Sequence, residues 1–166
     1  MTALSRIIGI SLLLIIVSAT YAQNEESVMT WYNWEDGYKK AFAENKILMV
    51  YLFTNNCPYC VKMQKETFSN SKIVAMIDKD FIAVKVNPKE AGVSYSINDK
   101  VYNGNELISY LTGNSMFSQS PRMVYPTTAF IIAGADQFFM ESGFQAPKTF
   151  RYILLNITNI KKSLKK

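Results

Sequence analysis

A chain of 166 residues, 49% hydrophobic and 13% aromatic, has the material for one domain with its own core. Two cysteines and no histidine exclude Ser-His-Asp and Cys-His nucleophilic machinery, imidazole metal sites, and any four-thiolate zinc or iron–sulfur centre within one chain. The net charge of +5 is spread along the chain rather than gathered into a basic stripe with interleaved aromatics, which argues against nucleic-acid binding.

The chain starts MTALSRIIGISLLLIIVSATYAQ. Arg6 supplies a positive n-region, residues 7–19 form an uncharged apolar run, and Thr20-Tyr21-Ala22 offers small residues at the −3 and −1 positions. This is the layout of a secretory signal cleaved after Ala22, with Ala19 as the second choice, and it predicts an exported protein, periplasmic or secreted. The rival reading is an uncleaved membrane anchor, but residues 7–22 fall short of the roughly 20 needed to cross the hydrocarbon core. No cysteine follows the apolar run, which argues against a lipid-anchored lipoprotein. Membrane contact is therefore expected only through residues 1–22. Their removal leaves a net charge of about +4.

Residues 23–30 (QNEESVMT) are polar and read as a loose arm, and 31–166 as one domain without repeats or linkers. Trp34, Tyr38, Ala41 and Phe42 make one helical face, predicting a helix over 34–45. The run ILMVYLF at 47–53 suits a strand buried on both faces. Pro58, at a first helical position, opens a helix over 58–66. Ile73, Val74 and Ile77 mark a further helix ending near Asp80, and FIAVKV at 81–86 a second buried strand. Residues 89–104 read as irregular, 104–112 as a helix around Leu107, Ile108 and Leu111, and 113–124 as a polar loop. Strands over 127–133 and 137–142 flank Gly134-Ala135-Asp136, a hairpin signal. The stretch 147–164 closes the chain as an amphipathic helix through Phe150, Ile153, Leu154, Ile157 and Ile160. Alternating elements followed by an antiparallel hairpin predict an α/β fold, a mixed central sheet with helices on both faces.

Cys57-Pro58-Tyr59-Cys60 lies where a buried strand hands over to a helix. One helical turn brings positions i and i+3 close enough for a disulfide. At the helix N-terminus, unpaired N–H groups and the positive dipole end favour a thiolate. Lowering a thiol pKa from about 8.5 to about 7 raises its thiolate fraction at neutral pH from roughly 3% to half, a shift of about 2 kcal/mol. Cys57 is thus the expected nucleophile and Cys60, one turn inside, the resolving thiol. A purely stabilising disulfide is a weak rival, because so short a loop constrains the unfolded chain little. A metal would need more ligands than the chain offers.

The order strand, CPYC, helix, then Tyr125-Pro126-Thr127 opening a hairpin and a final helix, resembles the thioredoxin superfamily over roughly 31–160. Asn45-Lys46 before the first strand and Gly143-Phe144 before the last helix are similar too. Among its members the chain resembles exported thioredoxin-like proteins of the SoxW kind and, more distantly, the C-terminal domain of DsbD. The resemblance implies a three-layer thioredoxin-like fold and a cis bond before Pro126. It also implies that the backbone of Tyr125 binds a substrate strand, and that Pro58 and Tyr59 tune the potential of the pair. It implies a disulfide-containing protein or small-molecule substrate, a thiol partner that resets the pair, and no cofactor.

Two departures stand out. Thioredoxins carry a buried Asp six residues before the first Cys; that position is Tyr51 here, leaving Glu66 and Lys62 as nearby ionisable groups, Lys62 expected in solvent. Pro-Tyr between the cysteines is the glutaredoxin pattern, yet no Gly-Gly segment follows Pro126, so glutathione is not the expected substrate.

Trp31, Trp34 and Tyr38 read as packing for the first helix. Met116, Phe117, Met123 and Val124 are the candidates for a hydrophobic lip beside Cys57. Lys161, Lys162, Lys165 and Lys166 read as a solvated helix end. Asn156-Ile157-Thr158 matches a glycosylation acceptor but falls inside a predicted helix. The direction of electron flow stays open between reductase, the leading reading, and oxidant or isomerase. A peroxide-reducing thiol enzyme and a non-catalytic binding module are the remaining rivals.

Overall fold

The computed structural model describes residues 28–112, 123–132 and 138–164. In chain order the elements are α1 (Trp34–Ala43), β1 (Ile47–Leu52), α2 (Pro58–Glu66), α3 (Ser71–Asp80), β2 (Phe81–Val86), β3 (Tyr95–Ile97), β4 (Lys100–Tyr102), α4 (Gly104–Leu111), β5 (Thr127–Ile132), β6 (Phe138–Ser142) and α5 (Pro147–Ser163).

Every residue of β1 is buried, as its unbroken apolar run requires of a strand covered on both faces. The main sheet has the order β2-β1-β5-β6. β1 runs parallel to β2, while β5 is antiparallel to both β1 and β6. The alternation of side chains divides the core in two. Ile47, Met49 and Tyr51 of β1, with Phe130 and Ile132 of β5, pack under α2, α3 and α5 through Cys60, Met63, Ile73, Ile77, Phe150 and Leu154. Leu48, Val50 and Leu52, with Ala129 and Ile131, face Trp34 and Ala41 of α1, Leu107 and Leu111 of α4, and Tyr95 and Ile97. The result is the expected mixed sheet between two helical layers, a thioredoxin-like α/β fold.

Helix starts follow their capping chemistry. The side chain of Asn33 accepts the Asp36 N–H at 2.9 Å, Asn70 accepts at the start of α3, and Asn103 forms a capping box with Glu106 on α4. Gly104 is required by a close approach: a Cβ there would lie 1.9 Å from the Pro88 carbonyl oxygen. Lys161 and Lys162 occupy the last turn of α5, where Lys161 bonds the Asn45 carbonyl. Among the described residues no helix is long and apolar enough to cross a membrane.

Three expectations need revision. The stretch 89–104 is not wholly irregular, because β3 and β4 pair as a small antiparallel hairpin. Its turn residues, Asn98 and Asp99, have φ of 47° and 62°. Strands of three residues are too short for an alternating pattern to register, and the turn carries no glycine. α1 stops at Ala43 rather than 45, with Asn45 in the left-handed region at φ 50°. In the polar arm, Met29 is buried in the core, so the packed domain starts before residue 31. Residues 1–27 and the hairpin turn 134–136 lie outside the described residues.

Candidate active site

β1 ends at Leu52 and the chain turns through 53–56 into α2. Cys57 is the N-cap of that helix, with an extended backbone, and Pro58 occupies the first turn, where its missing N–H costs nothing. The Cys57 sulfur accepts the Cys60 N–H at 3.1 Å, and the Cys57 carbonyl accepts from Cys60 and Val61 at 3.0 and 3.2 Å. Cys57 and Cys60 are joined as a disulfide with their Cα atoms 5.2 Å apart. The two sulfur-bearing residues differ in access: Cys57 is 8% exposed and Cys60 1%. Tyr59, between them, stands in solvent at 61% exposure.

The Tyr125–Pro126 peptide bond is cis. Thr127 pairs with Leu52 across β1 and β5, so this bond lies at the end of the two central strands from which the Cys57 segment departs. The turn is pinned from several sides. The Pro126 carbonyl accepts the Gly143 N–H at 2.7 Å, and the Thr127 hydroxyl donates to the Val124 carbonyl at 2.6 Å. Tyr125 is half-buried, which raises its phenol pKa, and Lys89 lies 5.7 Å over its ring. Val124 is exposed and Met123 packs partly against the α1-side core. Met116 and Phe117 lie outside the described residues.

Beneath Cys60 the surroundings differ from what its neighbours in sequence suggest. Glu66 is exposed on α2, and Lys62 reaches over the Phe144 ring at 4.6 Å, so neither is turned to Cys60. The group that touches Cys60 is Tyr51, whose hydroxyl donates to the Cys60 carbonyl at 3.0 Å. Burial pushes its pKa up to about 12, an effect the neighbouring Gln64 side chain partly offsets. The Gln64 carbonyl in turn accepts from the Lys85 ammonium at 3.2 Å. Lys85 is partly buried, which depresses its pKa, and it faces the rings of Trp31 and Phe53 at 5.5 and 5.1 Å. Gln64 and Lys85 were not singled out by sequence reasoning. The signal for Lys85 was there, as the one charge in the buried run FIAVKV.

Trp34 is packing for the first helix, as expected, buried with its indole N–H on the Ser96 carbonyl at 3.0 Å. Trp31 is packing too, but on the opposite face of the sheet from α1, where it meets Phe68 edge-on at 5.0 Å. Among the described residues no three Cys, Asp or Glu side chains come together to hold a metal ion. The arrangement offers one reversible covalent bond, a disulfide whose Cys57 end is less deeply buried than its Cys60 end.

Human spermatogenesis-associated protein 20 is 32% identical over 69 residues, which is 41% of this chain and 9% of that protein. The chain thus spans about a tenth of the length of the curated relatives it matches there. Among solved structures, a thioredoxin from Thermus thermophilus superposes with a TM-score of 0.60 at 18% identity, covering 83% of this chain and 93% of that one. A DsbH oxidoreductase superposes at 0.50 with 14% identity, covering 88% and 92%. At such identities these two likenesses speak for the fold. A family model described as Thioredox_DsbH, protein of unknown function, DUF255, matches residues 13–166, and this chain belongs to that family.

Proposed function

We propose that the protein is an exported thiol–disulfide oxidoreductase that reduces disulfides in proteins or small molecules, in the manner of exported thioredoxin-like proteins of the SoxW kind. The observation that carries this reading is the Cys57–Cys60 disulfide at the N-terminus of α2, with Cys57 at the helix end and the less deeply buried of the two. In the reduced protein, Cys57 as thiolate attacks a substrate disulfide and forms a mixed disulfide. Cys60 then attacks Cys57, releases the reduced substrate and restores the intramolecular bond. Tyr125 and Pro126, just before the central strand β5, are the residues against which the substrate backbone lies, and Pro58 and Tyr59 tune the pair. A thiol partner must return the disulfide to the dithiol. The signal-like residues 1–22 support an exported, periplasmic location.

Trapping tests this directly. Cys60→Ser leaves Cys57 unable to resolve, so the variant expressed with its signal accumulates disulfide-linked adducts on Cys57, visible on non-reducing gels and lost in Cys57→Ser/Cys60→Ser. Absence of any adduct in the exported fraction overturns the reading. The direction is read from the potential: a catalyst falls between about −120 and −270 mV, its reducing members at the low end, whereas a merely structural bond lies below about −300 mV.

A further inference from the structure

Three threonines, Thr67, Thr127 and Thr128, lie buried in the fold. Thr67 donates to the Gln145 carbonyl at 2.6 Å. Thr127 donates to the Val124 carbonyl at 2.6 Å and has the Ser142 hydroxyl 3.2 Å away. Thr128 is 1% exposed, and its hydroxyl has no hydrogen-bond partner. Among the described residues no other buried side-chain nitrogen or oxygen is left in this way. An unpaired buried hydroxyl is a net cost to a fold, one that a valine of the same shape avoids.

The place of this hydroxyl is specific. Thr128 is the second residue of β5 and pairs with Tyr51 of β1. Side chains alternate along the strand: Ala129 enters the core on the α1 side, and Phe130 the core that holds Cys57 and Cys60. Thr128 therefore faces the layer of the cysteines, as Phe130 does. Its partner across the ladder marks the level, because the Tyr51 hydroxyl donates to the Cys60 carbonyl at 3.0 Å. The next row on that face, Met49, Phe130 and Phe139, is apolar. The orphan thus stands where the core meets the disulfide and not elsewhere in it.

The closed pair offers such a hydroxyl little, since a disulfide carries no S–H to donate and no charge to accept. Opening it changes both. A thiol presents an S–H and a thiolate a negative charge, and a hydroxyl can accept from the first and donate to the second. We propose that Thr128 sets the redox poise of the pair: its hydroxyl, unpaired beside the disulfide, bonds the Cys60 sulfur once the pair is open and so favours the dithiol. This rests on the reading above for its use in catalysis, though not for its measurement. The reaction poised is protein disulfide plus two thiols giving protein dithiol plus one new disulfide. The Cys57–Cys60 bond breaks, a bond forms between the sulfurs of the two thiols, and two electrons and two protons pass to the cysteines. Thr128 exchanges neither.

The test is the equilibrium of the purified protein with mixtures of reduced and oxidised glutathione at pH 7, serving as redox buffer, with open and closed forms counted by thiol alkylation. Thr128→Val removes the hydroxyl and keeps the shape. It is expected to shift the equilibrium constant towards the disulfide by about three- to tenfold, a potential lower by about 14 to 30 mV. Thr128→Ser keeps the hydroxyl and stays near the parent. The closed form loses no bond, so oxidised Thr128→Val resists urea at least as well as the oxidised parent, while its reduced form is the weaker of the two reduced proteins. An unshifted equilibrium in Thr128→Val, or an equal shift in Thr128→Ser, overturns the proposal. So does a fall in the stability of oxidised Thr128→Val, which means that the hydroxyl is already paired in the closed form. Should Thr128→Val not fold, Thr128→Ala against Thr128→Ser isolates the same hydroxyl and is read in the same way. The equilibrium needs no turnover, so the two readings fail separately. A shifted poise without trapped adducts removes the enzyme and leaves the part played by Thr128; adducts with an unshifted poise do the reverse.

Discussion

Tyr51 lies wholly within the core with its hydroxyl 3.0 Å from the Cys60 carbonyl, one turn of helix away from Cys57. A carbonyl buried under α2 needs a donor, and the phenol supplies one without bringing a charge. The ring also packs edge-on against Phe68 at 4.9 Å and lies 5.7 Å from Trp31, so the hydroxyl is aimed by aromatic contacts on several sides. Tyr51→Phe keeps those contacts and removes only the oxygen. It is expected to lower the stability of the oxidised protein by about 1–2 kcal/mol, the cost of a buried polar group left unpaired. Urea unfolding checks this: the midpoint falls while the slope stays unchanged. A variant as stable as the parent shows that the Cys60 carbonyl finds another donor.

At the scale of elements, α4 illustrates how a short helix is held on the sheet. It spans only Gly104–Leu111, too short to be stable alone. Leu107 and Leu111 enter the core beside Leu48 and Val50, and the Asn103–Glu106 capping box satisfies its first N–H groups. The Asn103 side chain accepts from Asn105 and Glu106 at 3.0 Å each, and the Glu106 carboxylate accepts the Asn103 N–H at 2.7 Å. Asn103→Ala removes the first two bonds and is expected to cost about 1 kcal/mol, read as a lower thermal midpoint with the disulfide intact. Elements of this kind could be read from the sequence because their signals are local. Pro58 and the apolar runs of β1 and β2 mark α2 and the two parallel strands within a few residues of their ends. The β3–β4 hairpin could not be read, since its strands are too short to show a period. The same holds at the site. Cys57 and Cys60 declare themselves by spacing, whereas Lys85, Gln64 and Tyr51 come together only through the β1–β2 register and the seating of α2. No pattern along the chain encodes that meeting.

The whole molecule carries the sum of its buried ionisable groups, and on the alkaline side the tyrosines decide it. Tyr38, Tyr51, Tyr95 and Tyr125 all have pKa values raised chiefly by burial, Tyr51 to about 12. In the unfolded chain a phenol ionises near 10, so above that pH the unfolded state holds fewer protons than the folded one. Stability is then present in full below pH about 10 and is lost as pH rises through the folded values. For Tyr51 alone the loss is about 2 kcal/mol by pH 12. Lys85 works in the opposite sense. Its folded pKa is depressed, so the unfolded state holds more protons between that value and about 10.4, and stability rises with pH across that window. Urea unfolding at intervals from pH 8 to 12 is therefore expected to show stability held or rising up to pH about 10 and falling steeply beyond it. Tyr51→Phe, although weaker at pH 8, falls less steeply above 10 and closes on the parent by pH 12. Lys85→Met loses the rise and keeps the fall. If Tyr51→Phe instead runs parallel to the parent across this range, the phenol is not held protonated by the core.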